Sequence, residues 1–96
     1  MSAYIVIQIQ VHDPATYDEY RVAATPTVGL YGGKYLVRGG RVETLEGAWQ
    51  PSRFVILEFP SVERAKAWHA SPEYQSIAPL RYRSATSEMI VAEGTA

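Results

Sequence analysis

The chain has 96 residues, is 47% apolar and 20% charged, contains no cysteine and carries a formal net charge of −1. This is the usage of a globular protein, enough for one thin core and too short for two ordinary domains, so one domain spanning 1–96 is expected. The missing cysteine excludes disulfides, thiolate catalysis and cysteine-ligated metal, and the missing basic surplus argues against nucleic acid as a partner.

The amino-terminal MSAYIVIQIQV has neither the basic lead nor the small-residue cleavage site of a signal peptide. No run approaches the roughly 20 apolar residues of a membrane helix, so a soluble cytoplasmic protein without membrane association is expected. From Tyr4 to Val11 the pattern alternates: Ile5, Ile7, Ile9 and Val11 point one way, and Tyr4, Val6, Gln8 and Gln10 the other. That is a strand with one dry and one mixed face. Asp13-Pro14 supplies a cap and a first-turn proline for a helix over about Pro14–Ala24, with Tyr17, Tyr20 and Ala24 on its inner side. Thr25-Pro26 is expected to end it.

YGGKYLVRGG follows, from Tyr31 to Gly40. A phosphate loop needs its glycines between a strand and a helix N-terminus, where free N–H groups face the anion. Here strand follows the glycines, so Gly32-Gly33 and Gly39-Gly40 read as turn or bulge residues bracketing the short strand KYLVR. Arg41–Glu46 alternates as a further strand, and GAWQPS breaks it. RFVILEF, Arg53 to Phe59, is a central strand by its β-branched and aromatic content. Ser61 caps a helix, VERAKAWHA, with Val62, Ala65, Trp68 and His69 on one face. Ser71-Pro72 repeats the cap, and the helix it opens, PEYQSIAPLRYRSA, is interrupted at Pro79. TSEMIVAE closes the chain as a strand.

Strand, helix, strand, strand, helix, strand is the split βαβ, ferredoxin-like arrangement of an α+β fold, an antiparallel sheet of four to five strands with helices on one face. The other face must meet solvent or a partner. Tyr4 and Val6 on that face favour a homodimer joined sheet to sheet.

Three stretches, GGKYLVRGG, LEGAWQPSRFVILEFPS and AWHASPEYQSIAPLR, occur in the order that resembles the family known only as domain of unknown function 1330. The resemblance covers nearly the whole chain. It implies membership of the dimeric α+β-barrel superfamily, with a homodimer whose two sheets form a barrel. That superfamily includes cofactor-free monooxygenases, muconolactone isomerase, haem-degrading enzymes and stress-response proteins. The resemblance implies no particular reaction and no cofactor.

Glu58 shares a face with Phe54 and Ile56 and reads either as a general base or ligand anchor, or as the partner of Arg38, Arg53 or a backbone N–H. Arg38 and Arg53 read as planar clamps for an anionic ligand, or as structural ion-pair partners. The Arg81-Tyr82-Arg83 cluster reads as a solvated helix end. His12 and His69, the two histidines, lack the spacing of a metal pair, and no metal site is expected. His69 is expected to face the core, as an acid–base group or a haem ligand, or as a satisfied boundary residue. Trp68 and Tyr74 are the aromatic pair expected to wall a pocket for a small organic acid or aromatic compound. Two functions stay open: a cofactor-free enzyme, monooxygenase- or isomerase-like, with Glu58 or His69 moving a proton in a helix–sheet pocket, or a non-catalytic binding or stress-associated dimer.

Overall fold

The computed structural model describes residues 1–95. β1 (Ala3–Val11) leads into α1 (Pro14–Leu30), and β2 (Lys34–Arg38) and β3 (Arg53–Phe59) follow. α2 (Val62–Ala70), α3 (Pro72–Gln75), α4 (Ala78–Ser84) and β4 (Ala85–Glu93) complete the chain. The four strands form one sheet in the order β2-β3-β1-β4 with every neighbouring pair antiparallel. Alternation in β1 works as expected: Ile5, Ile7 and Ile9 are buried under the helices, and Tyr4, Val6 and Gln8 are half-buried on the open face. In β3 the dry set is Val55, Leu57 and Phe59. Cα extents of 33 × 31 × 16 Å describe a slab with one sheet layer and one helix layer.

The capping chemistry places the helices. Asp13 accepts from the Thr16 N–H at 3.3 Å and the Thr16 hydroxyl at 2.7 Å, and those two bonds hold its carboxyl below the usual range. Ser61 caps α2 through the Arg64 N–H at 3.1 Å. Buried Ser71 both accepts from the Tyr74 N–H at 3.1 Å and donates to the Trp68 carbonyl at 2.7 Å. The segment from Pro72 breaks into α3 and α4 at Ser76-Ile77, with Pro79 in the first turn of α4, where its missing N–H is harmless.

Two expectations are corrected. α1 does not end at Thr25-Pro26 but runs through Pro26 to Leu30. Pro26 removes only the N–H that would meet the Val22 carbonyl, and Val22 is 66% exposed, so water can serve that oxygen. The Thr25 hydroxyl donates to the Arg21 carbonyl at 2.8 Å, and buried Thr27 and Val28 carry the packing beyond the proline. Arg41–Glu46 is not a strand: it lies in an exposed loop, residues 39–52, because edge strand β2 pairs only with β3. The loop is tied by the Thr44 hydroxyl donating to the Trp49 carbonyl at 2.6 Å, and Trp49 folds edge-on to Phe54, ring centroids 5.8 Å apart, on the open sheet face.

The glycines behave as punctuation. Gly32, at φ +80°, ends α1, its N–H and that of Gly33 returning to the Gly29 and Val28 carbonyls at 3.1 and 3.0 Å.

A proline inside a helix costs about 3 kcal/mol relative to alanine, partly offset by the freedom it removes from the unfolded chain. Pro26→Ala is therefore expected to stabilise the protein by about 1–2 kcal/mol in urea unfolding. A destabilised variant would show that the proline ring, and not the flanking threonines, sets the path of α1.

Candidate functional site

A cavity lies between α1 and the inner face of the sheet. Ile7, Ile9, Val55 and Leu57 form its floor, Tyr17, Tyr20, Tyr35 and Trp68 its walls, and Arg21, Arg38 and Arg53 its rim. Its volume of about 20 Å³ holds one water-sized body.

Arg38 reaches this cavity because of an irregularity. Tyr35 stands opposite Leu57 on the inner face, and strict alternation would send Arg38 outward. The register between β2 and β3 shifts between Tyr35 and Val37, so that Val37 pairs with Ile56 and Arg38 with Val55. The bulge at Leu36 thus turns both Tyr35 and Arg38 toward the helices, a common use of bulges. The Arg38 guanidinium donates to the Thr25 hydroxyl and lies 4.4 Å from the centre of the Tyr35 ring.

Arg53 is placed by a glycine. Gly39 sits at φ +73°, and a Cβ built there would come within 2.4 Å of an Arg53 guanidinium nitrogen. Only glycine leaves that guanidinium room to lie across the turn. From there Arg53 Nε donates to the Tyr17 hydroxyl at 3.1 Å. Ion pairs among the described residues join Arg21 to Asp18, Lys34 to Glu58 and Arg41 to Glu43, and include neither Arg38 nor Arg53.

Trp68 is 1% exposed and donates from its indole N–H to the Thr27 hydroxyl at 3.0 Å. Its ring centre is 4.2 Å from that of Tyr74, which is fully buried. Trp68 walls the cavity directly, and Tyr74 stands behind it. The Tyr74 hydroxyl shares a 2.9 Å hydrogen bond with that of Tyr20 and accepts from Arg81 Nε at 3.2 Å.

The remaining candidates lie elsewhere. Glu58 does share a face with Phe54 and Ile56, but that is the open, half-buried face, and the dry residues of β3 are its neighbours in sequence. Its cation is Lys34 at 3.2 Å, not Arg38 or Arg53. Its carboxylate beside Tyr4 raises that phenol's pKa. His69 does not face the core: α2 buries only the narrow stripe of Ala65 and Trp68, and His69 is exposed beside a separate groove with Lys66, Met89 and Val91. His12 is exposed and bonds Thr86 at 2.7 Å. No cluster of metal-ligating side chains occurs among the described residues.

Arg81 is the correction of most consequence. It is no solvated helix end but 5% exposed. Its neighbours at three-residue spacing, Ala78 and Ser84, are small and buried, a pattern that marks Arg81 as part of the inward stripe of α4. Tyr17, Tyr20 and Tyr35 join Trp68 in the cavity wall, and nothing in the sequence separates these three from the other aromatic residues of the core.

The fold is that of the ferredoxin-like proteins: a protein of unknown function from Rhodopseudomonas palustris superposes with a TM-score of 0.78 at 18% identity, over 99% of this chain and 83% of that one. A dimeric ferredoxin-like protein of unknown function from Jannaschia sp. CCS1 gives 0.68 at 13% identity, over 98% and 100%. SnoaB, a cofactor-independent oxygenase from Streptomyces nogalater, gives 0.64 at 14% identity, over 99% and 94%. No curated protein matches the sequence. The family profile of DUF1330, a domain of unknown function, matches residues 2–95, and the chain belongs to that family.

The walls of the cavity make a prediction about alkali. Burial pushes the Tyr20 and Tyr35 phenols above the ordinary value of 10.0. The unfolded chain therefore releases these protons first, so their contribution to stability is complete below about pH 10 and is lost as pH rises further. Urea midpoints are expected to hold up to about pH 10 and to fall between about pH 10 and about pH 12, and Tyr20→Phe to flatten that fall. An unchanged slope in the variant would show that Tyr20 ionises freely in the fold.

Proposed function

We propose that the cavity between α1 and the sheet binds a small, flat organic anion, such as an aromatic acid or phenolate. The observation that carries this is the pair of guanidinium groups, Arg38 and Arg53, at the rim of an aromatic cavity with no carboxylate paired to either among the described residues. A bulge and a glycine are used to aim them there, and a planar fork suits carboxylate recognition. Tyr17, Tyr35 and Trp68 supply the flat walls, and Tyr74 backs Trp68. The cavity as it stands holds one water-sized body, so this reading requires its rim to open on entry.

Resemblance in fold to a cofactor-independent oxygenase supports a cofactor-free reaction on an aromatic compound, monooxygenase- or isomerase-like. One observation favours the alternative of binding without turnover: the cavity lining contains no carboxylate or imidazole. Glu58 and His69 would have to act from outside it to serve as the proton-moving groups.

Titration calorimetry with benzoate and 2-naphthoate tests the site. Wild-type protein is expected to bind 2-naphthoate the more tightly, and Arg53→Met to weaken binding by about tenfold or more through loss of a charge-assisted hydrogen bond. Equal affinity in wild type and in an Arg38→Met, Arg53→Met double variant would remove the anion-binding reading.

The open sheet face supports a homodimer, the assembly described for the Jannaschia protein. Val37, Ile56, Val6 and Ile90 lie in one row across all four strands, and Ile90 is 62% exposed. A continuous apolar row of this kind is costly to leave in water. Light scattering after gel filtration is expected to give a dimer for wild type and a monomer for Val6→Glu. A dimer in the variant would place the interface elsewhere.

A further inference from the structure

Arg81, Tyr74 and Tyr20 form a buried chain, at 5%, 0% and 6% exposure. Arg81 Nε donates to the Tyr74 oxygen at 3.2 Å, and the Tyr74 and Tyr20 hydroxyls are 2.9 Å apart. Another Arg81 nitrogen donates to the Ser87 hydroxyl. No carboxylate pairs with Arg81 among the described residues. The guanidinium is instead surrounded by phenols, with its carbon 5.9 Å from the Tyr20 ring centre and 5.0 Å from that of Tyr82.

Counting protons gives the chain a direction. A guanidinium only donates, so the Tyr74 oxygen is an acceptor. The contact between the two phenols consumes one of their two protons. A hydroxyl that accepts from a cation is the stronger donor, so Tyr74 gives its proton to Tyr20. The Tyr20 proton then has no acceptor among the described residues, although the group is almost wholly removed from solvent. Tyr20 is one of the residues that line the cavity. Its undissociated form is the one that burial favours.

We infer that Tyr20 is a ligand-contacting donor, oriented by the Arg81–Tyr74 pair to present its proton to an oxygen of the bound molecule. This deepens the anion-binding reading of the same cavity and rests on it. Arg53 and Tyr20 both pack on Tyr17: the Arg53 carbon is 5.3 Å from the Tyr17 ring centre, and the Tyr17 and Tyr20 centroids are 5.6 Å apart. The ligand class narrows accordingly to flat acids that carry a second, carbonyl or quinone-type oxygen for Tyr20 to meet. Tyr20 would pull electron density toward that oxygen, and Arg81 is a positioning residue acting through Tyr74.

Two probes of nearly equal shape separate this inference from the one beneath it. 4-Acetylbenzoate has the second oxygen, and 4-isopropenylbenzoate has a methylene in its place. By titration calorimetry, wild-type protein is expected to bind the acetyl compound about five- to tenfold more tightly, the worth of one hydrogen bond to a neutral acceptor. Tyr20→Phe should bind both probes alike, at the level of the isopropenyl compound. The infrared carbonyl stretch of bound 4-acetylbenzoate should shift to lower frequency in wild type, less in Arg81→Met, and not at all in Tyr20→Phe. Equal affinity of wild type for the two probes, or a preference that persists in Tyr20→Phe, overturns the role of Tyr20 and leaves the anion site intact. Failure of wild type to bind either probe overturns the anion site and this inference with it. Equal affinity of wild type for the two probes overturns the inference even where a variant fails to fold, and the infrared shift in Arg81→Met tests it independently of Tyr20→Phe.

Discussion

The indole of Trp68 is the contact on which the helix layer depends. Its N–H is answered by Thr27, whose own hydroxyl donates to the Ala24 carbonyl at 2.7 Å. That pairing needs α1 to continue past Pro26, since Thr27 lies beyond it. The same indole packs on Phe59 of the sheet, ring centroids 5.6 Å apart, and on Tyr74. Its backbone carbonyl accepts from both the N–H and the hydroxyl of Ser71, and Ser71 in turn caps α3. One residue therefore fixes the reach of α1, the seating of α2 on the sheet and the turn that delivers Tyr74. Truncating a buried tryptophan costs about 3–5 kcal/mol. In a slab with a single layer of helices, a loss of that size is a large part of the stability of the whole.

What the sequence disclosed was whatever depends on period and caps. Ile5, Ile7 and Ile9 alternate, Asp13, Ser61 and Ser71 each precede a helix start, and β3 coincides with RFVILEF. Failures came where a third element overrides a local rule. Pro26 breaks helices, yet Thr27 and Val28 are held by the core from further along the chain. Arg41–Glu46 alternates, yet a strand also needs a partner, and β2 has only one. The bulge at Leu36 leaves no mark in composition, so nothing in KYLVR told that Arg38 would join the inner face. Glu58 was put on the correct set of alternating residues. Which set was the dry one could not be read from RFVILEF, whose residues are apolar on both sides. Arg81 alone had a visible signal, in the small residues three places either side, and the proximity of Arg83 masked it.

The two faces of the sheet carry separate duties, and alternation keeps them apart. In β1 and β3 the inner residues make the core and the cavity, and the outer ones make the apolar row from Val37 to Ile90. An assembly formed on the outer face can change without disturbing the cavity, because neighbouring residues of one strand point to opposite sides. Among the described residues, the bulge at Leu36 is the place where the sheet register shifts and a residue crosses from one set to the other. It lies on the edge strand, where a disrupted ladder harms only one pairing.

The buried Arg81 bears on whether the cavity is more than a packing defect. A buried charge without a countercharge is expensive, and replacing such polar clusters by apolar side chains is often neutral or stabilising. Economy of folding therefore does not account for a guanidinium that meets two phenols and a serine. The polar chain has one property that an apolar replacement would lack. It ends at Tyr20, a residue of the cavity wall, and the same cavity is lined by two further guanidinium groups that no carboxylate among the described residues neutralises. Arg38 and Arg53 stand at the rim of that cavity and Arg81 stands behind its wall, and no carboxylate among the described residues pairs with any of the three. Their shared, uncancelled sign sets them apart from Arg21, which lines the same cavity and is paired to Asp18.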